Sequence, residues 1–123
     1  IQLLPETPYI RLQLAQAQIE TGDHNYLDSA ISHLQIAKIK NPTSARIWRL
    51  LAIALGRKGD FIGSYLALGE EALLKEQPKI AQFQASQAKK RLERGSRRWL
   101  QAEDILMAAE EMARAIKRRK IAK

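Results

Sequence analysis

The sequence predicts an all-α fold, a right-handed solenoid of about six antiparallel helices, and three observations carry that reading. Helix-start signals divide the chain into six segments of helix length. Those segments are rich in Ala, Leu, Gln, Glu, Lys and Arg, and none shows the two-residue alternation of a half-buried strand. Residues also recur at a spacing of 34, the signature of stacked helical hairpins.

Each element has a local reason. Thr7 and Pro8 open a helix over about 8–21: a threonine oxygen can accept from an orphan amide, and a proline in the first turn lacks only an N–H that has no partner anyway. Gly22 and Asp23 end it, and a loop over His24–Leu27 leads to a second helix over about 27–40. Asn41-Pro42 breaks the chain, Thr43 is the expected cap, and a third helix follows over about 44–58. Gly59 and Asp60 separate it from a fourth over about 61–75, Gln77-Pro78 opens a fifth over about 78–93, and Ser96 after Gly95 opens a sixth over about 97–118. Gly22 and Gly59 are expected at hairpin turns, where the backbone enters the left-handed region.

Pro8 and Pro42 are 34 residues apart, and Ala30, Leu34 and Ala37 return 34 residues later as Ser64, Leu68 and Glu71. This is the tetratricopeptide period. Trp48, Leu51, Ala52, Leu55, Gly59 and Asp60 fill the first helix and turn of one copy, followed by Ser64 and Leu68 on its second helix. The earlier copy reads Arg11, Leu14, Ala15, Gln18, Gly22 and Asp23, with three extra residues in its loop. A third copy is blurred, carried by Leu68, Gly69 and Ala72 and then Ala81, Ala85 and Ala88. Glu71 departs from the motif, which wants alanine there. Trp48 is expected to anchor the central hairpin, packed near Ser64 and Leu68. The repeat domain is placed at residues 1–112 and a basic C-terminal extension at 113–123.

Composition is that of a soluble globular chain: 46% hydrophobic and 28% charged residues, with no cysteine and hence no disulfide or thiolate chemistry. No apolar run approaches the roughly 18–20 residues that span a bilayer. The start at Ile1 has neither an initiator Met nor a signal-peptide pattern, so a longer parent protein is expected. The net charge of +8 falls on the last third, where residues 77–123 carry 13 basic and 5 acidic side chains. A tail beginning at Arg114 concentrates it and is expected to end as a disordered terminus. Clustered Lys and Arg of this kind attract polyanions. A nucleic-acid role is not expected, because there is no aromatic stacking platform or groove-reading module, whereas weak contact with an anionic membrane surface is compatible with the charge.

Catalytic chemistry is not expected in this chain. A catalytic zinc takes about three protein ligands, and His24 and His33 are the only histidines, one read in a loop and one on a helix surface. The pairs Glu70-Glu71, Glu103-Asp104 and Glu110-Glu111 read as solvated helix faces, and neither a phosphate loop nor a nucleophile motif is present. No cofactor is expected. Binding is the remaining function class. On the third helix two stripes are assigned to packing, and Arg46, Arg49, Ile53 and Arg57 are left over. With Tyr9, Leu12, Gln16 and Ile19 at the corresponding positions of the first helix, they form the expected protein-binding groove, basic at one end and apolar at the other. Three guanidinium forks there suit carboxylates of an acidic partner. Leu50 and Ile53 stand where a chaperone-type carboxylate clamp needs asparagine.

The stretches "PYIRLQLAQAQIETGD" from Pro8, "AISHLQIAKIKNPTSARIWRLLAIALGRKGD" from Ala30, "LALGEEALL" from Leu66 and "GSRRWLQAEDI" from Gly95 carry a family likeness. From Pro5 to Ile105 the chain resembles the C-terminal tetratricopeptide region of the BepA-like periplasmic zinc metalloproteases, particularly those of alphaproteobacteria. Arg97 stands where that family usually has proline or a small residue, and the basic extension after Met112 is not a family feature. The resemblance implies a signal peptide and an H-E-x-x-H protease domain upstream, with the zinc held there. It also implies a periplasmic location, and partners among outer-membrane client proteins, the assembly machinery and the chain's own protease domain. Without the resemblance, the expectation is a free-standing cytoplasmic scaffold.

Overall fold

The computed structural model describes residues 8–122. Six α-helices follow one another, α1 (Pro8–Glu20), α2 (Leu27–Lys40), α3 (Ala45–Lys58), α4 (Phe61–Leu74), α5 (Pro78–Lys89) and α6 (Arg97–Ala122), with a short 3-10 turn over His24–Tyr26 ahead of α2. No strand forms among the described residues, so the fold is all-α. Pro5 and Thr7, to which the sequence assigned a start of the family likeness and a cap, lie outside the described residues.

The helix ends are set by short-range chemistry. Asp23 accepts from the amide of Asn25 at 2.9 Å and fixes the 3-10 turn, which absorbs the extra loop residues of the first hairpin. Ser44, one residue beyond the expected Thr43, caps α3 by accepting from the amide of Ile47. Asp60 caps α4 through the amide of Gly63 at 2.9 Å, and Ser96 accepts from the amide of Trp99 in the first turn of α6. At the end of α3, Gly59 has φ +93°, its amide donates to Gly56, and the amide of Asp60 donates to Leu55, the paired bonds of a Schellman motif. Gly22 likewise has positive φ. The same closure ends α4, where the amides of Glu76 and Gln77 donate to Leu73 and Ala72, yet the residue at φ +54° there is glutamate.

Two helices differ from expectation in length. α5 stops at Lys89, four residues early, and the Arg91 guanidinium donates to the carbonyl of Gln87 as the chain turns away. α6 runs on to Ala122, so the basic extension is helical over its described length instead of a disordered terminus. Good helix formers and the i,i+3 and i,i+4 pairs of Arg114 with Glu111 and Glu110 sustain it.

Each helix packs chiefly on its neighbours in sequence, and the buried side chains fall into two clusters. The first joins α1, α2 and α3 around Leu34, Ile47 and Leu51; the second joins α4, α5 and α6 around Leu66 and Ile105. α4 belongs to both, since Ala67 faces the first cluster while Leu66 and Ala72 face the second. α5 contributes only alanines, Ala81, Ala85 and Ala88, to its buried stripe, and Gly69 on α4 admits Ile105 to within van der Waals contact. These small residues let the three helices cross closely, where dispersion attraction is greatest. α4 and α6 touch directly, whereas α3 and α5 share no substantial contact.

Trp48 does not occupy the position expected of it. Ile47, one residue earlier, is the buried anchor of α3 at 1% exposure, while Trp48 is half-buried with the Lys38 ammonium 5.0 Å above its ring. Trp48 borders a small cleft that also includes Arg98 and Gln101 of α6, and Ser64 and Leu68 lie instead against Ala52 and Ile53. A turn of 100° per residue carries adjacent side chains onto different faces, and Ile47 shares the buried side of α3 with Leu51, Ala52 and Ala54, while Trp48, Leu50 and Leu55 are partly buried at its edges.

Candidate functional site

The expected groove residues on α1 and α3 separate into three groups. Ile19 is 4% exposed and belongs to the core, so it lines no binding surface, and Leu12 packs against the same cluster. Tyr9 is exposed, Gln16 is half-exposed, and Arg46 hydrogen-bonds to the Gln16 side chain. The three arginines tie helices together: besides Arg46 to Gln16, Arg57 donates to the carbonyl of Ile19 at 2.7 Å, and Arg49 reaches Glu71 at 3.4 Å. The stripe assigned to free recognition therefore bridges α1 to α3 and α3 to α4. What remains is a shallow depression in which Arg49 and Ile53 meet Ser64 and Leu68.

Glu71, the departure from the repeat motif, is explained by the same contacts. At 7% exposure it is buried, and Arg49 and Lys75, at 3.4 and 3.6 Å, supply the opposite charge that a buried carboxylate requires. Alanine at this position would leave Arg49 without that partner. Glu70-Glu71 is thus not a solvated face. His33 also differs from a plain surface residue: Arg11 lies 3.2 Å from its Nδ1, and burial, then the Arg11 charge, hold the imidazole below its usual value.

A deeper concavity lies elsewhere, between α4 and α6. It is an open groove of about 740 Å³ with an apolar floor of Leu73, Ile105 and Ala108, a Leu100 rim that is 51% exposed, and polar groups Glu70, Arg97, Gln101 and Asp104. The elements that place these side chains are the parallel course of α4 and α6, fixed at their N-terminal ends by a two-toothed ion pair. Arg98 donates to both carboxylate oxygens of Asp60 at 2.9 and 2.7 Å, while Asp60 simultaneously caps α4. The Arg98 hydrogen bonds hold the Asp60 carboxyl below its ordinary value, against the opposing effect of burial, with the Gly63 amide adding in the same direction.

Inside the groove the Glu70 carboxyl is pushed up, first by burial and also by the nearby Asp104 charge, against the lowering effects of the Gln101 hydrogen bond at 3.2 Å and of Lys38. Glu70 thus sits beside an apolar floor with a second acid, Asp104, nearby. Arg97 gives the opposite end the reverse sign. Such a groove has room for an apolar side chain between groups of both signs.

The basic residues of the last third are partly neutralised. Lys89 pairs with Glu103 at 2.7 Å and lies over Trp99, Arg118 pairs with Glu111, and Arg119 reaches Glu76. Lys117 and Lys120 have no ion pair among the described residues. No described helix is long and apolar enough to cross a membrane. Comparison with protein-family models, curated proteins and solved structures finds no match for the chain.

Sequence reasoning missed the α4/α6 groove because its floor is the ordinary core pattern of α6. Leu100 and Asp104 beside a helix whose buried stripe is all alanine were the available signal, since a helix that packs with only small side chains leaves its neighbours room to approach each other and open a furrow on the far side.

Proposed function

We propose that this chain is a non-catalytic protein-interaction module of tetratricopeptide-like, right-handed helical-repeat type, and that the α4/α6 groove is its principal binding surface. The observation that carries the reading is the groove itself, apolar at its floor, open to solvent, and edged by Glu70, Asp104 and Arg97. Apolar grooves with a few convergent polar groups between helices receive helical or extended segments of other polypeptides. The depression at Arg49 and Ile53 is secondary, because its arginine is already engaged with Glu71.

A photo-cross-linking residue at Leu100 in the parent protein, expressed in its own cells, tests this against the same label at Ile53. Polypeptide adducts at 100 and few at 53 are expected; the reverse pattern would move the site to the α1/α3 face. The wider setting follows the family resemblance: the module would stand at the C-terminal end of a periplasmic zinc metalloprotease and present clients or outer-membrane assembly components to it. A cytoplasmic scaffold is the competing reading. The sequence upstream of Ile1 separates the two, since H-E-x-x-H with a secretion signal supports the first and their absence removes it.

A further inference from the structure

We infer that the α4/α6 groove receives α6 of a second copy of this chain, antiparallel, in a two-fold symmetric dimer. The inference rests on the reading of the groove as a protein-binding surface and names its occupant. α6 is more than twice the length of α5, 26 residues against 12, and its last buried residue is Ala109. Beyond it Met112, Ala115 and Ile116 are only partly buried and Arg119 reaches Glu76, so the second half of α6 extends past the helix it packs on and is only lightly packed within one chain.

The groove side of α6 carries Leu100, Asp104, Ala108, Glu111, Ala115 and Arg118, spaced by three or four residues and so aligned along one face. That stripe spans about 27 Å at 1.5 Å per residue. Its charge is polarised. After Arg97 at the helix start the stripe is acidic as far as Glu111, with Glu70 of α4 beside Asp104, and basic beyond it, where residues 113–122 contain Arg114, Lys117, Arg118, Arg119 and Lys120 and no acid.

A two-fold contact uses the same patch on both partners, so a stripe of this polarity complements itself only when the two helices run in opposite directions. Centring the pair on Glu111 sets Asp104 opposite Arg118 of the second copy, with Leu100 near Ala122 of the second copy. Ala108 and Ala115 fall near the axis and let the helices approach. Each Glu111 already accepts from Arg114 and Arg118 of its own chain at 2.9 and 3.1 Å, so the two acids at the axis are neutralised in place. Arg118 is then shared between its own Glu111 and the facing Asp104. The same pairing carries the basic end of one α6 toward Glu70 of the other.

Sedimentation equilibrium of the whole chain, with circular dichroism to confirm intact helices, is the test. Wild type should self-associate, and Asp104→Arg and Arg118→Asp should each weaken dimerisation tenfold or more, because each creates two like-charge contacts. The double variant Asp104→Arg/Arg118→Asp should recover most of the affinity that either single change loses, short of wild type because Glu111 gives up Arg118, and no role confined to one chain would produce that recovery. A wild type that stays monomeric up to millimolar concentration overturns the inference, and so does self-association that the double exchange fails to restore. Adducts at Leu100 to a different polypeptide, together with a monomeric chain, would sink the dimer while leaving the groove's role as a binding surface in place.

Discussion

Asp60 joins two jobs that substitution can separate. Its carboxylate caps α4 through Gly63 and clasps Arg98 of α6, with side-chain exposures of 30% for Asp60 and 44% for Arg98. Asp60→Ala removes both. The lost cap costs about 1 kcal/mol, within a usual span of about 0.5–2. The ion pair, part-exposed and so screened, adds about 0.5–1 kcal/mol. Asp60→Asn keeps a side-chain oxygen for the Gly63 amide, asparagine being an equally good cap, and so should cost only the second amount. In urea unfolding, Asp60→Ala should therefore be destabilised by about 1–3 kcal/mol and Asp60→Asn by about 0.5–1 kcal/mol. A double-mutant cycle with Arg98→Ala should return a coupling of about 0.5–1 kcal/mol. The carboxyl is held below its ordinary value in the native state, so the contribution is present above the unfolded carboxyl pKa of about 3.9 and is lost as pH falls through the lower native value. Equal losses for Asp60→Ala and Asp60→Asn would refute the capping argument, and a coupling of zero would refute the clasp.

Three further outcomes follow from the packing. Ile47→Ala should cost about 2–5 kcal/mol as a full core truncation, while Trp48, read in a Trp99→Phe background, should remain accessible to iodide; complete protection of Trp48 would return it to the core. Glu70 has its carboxyl raised by burial, so its native form holds the proton more tightly than the unfolded chain, and stability falls as pH rises through the raised value. Glu70→Gln should remove that fall, leaving the variant more stable than wild type at neutral pH and equal to it in acid; thermal melts across pH check this, and an unchanged pH profile contradicts it. Glu76→Gly should raise stability by about 1 kcal/mol, since glutamate at φ +54° bears a left-handed strain that glycine does not, and the Arg119 contact it gives up is exposed. A less stable glycine variant in chemical denaturation would show that the Arg119 contact outweighs the strain.

The elements were legible because their punctuation is local. Gly59 with Asp60, Gln77 with Pro78 and Gly95 with Ser96 each fix a helix boundary through bonds made within a few residues, and the boundaries fell close to where those residues placed them. Glu76 shows the limit of that method: the same closure as at Gly59 is built there without a glycine. Depth was less legible than face. Ile47 and Trp48 are both apolar and adjacent, and which goes inside depends on where α2 and α6 lie, information that no window along α3 contains. The proposed binding surface was hardest to place. Arg46, Arg49 and Arg57 look unoccupied when α3 is read alone, and only the positions of Gln16, Ile19 and Glu71 on other helices reveal that they are committed. The α4/α6 groove depends on contact between helices separated by α5, and such contacts leave no period in the sequence.

The membership of α4 in both buried clusters has a bearing on how the chain comes apart. Nearly all packing joins sequence neighbours, so loops to be closed during folding are short and the ordering entropy is met by contacts as it is incurred. Loosening α1 strips only the first cluster, and loosening α6 only the second, but α4 cannot detach without breaching both. The outer helices are accordingly free to fray as separate cooperative units, while α4 holds the last native structure to be surrendered. A pull on either end of the chain, such as traction by a bound polypeptide or by an attached domain, would be absorbed by the terminal helices before it reached the middle.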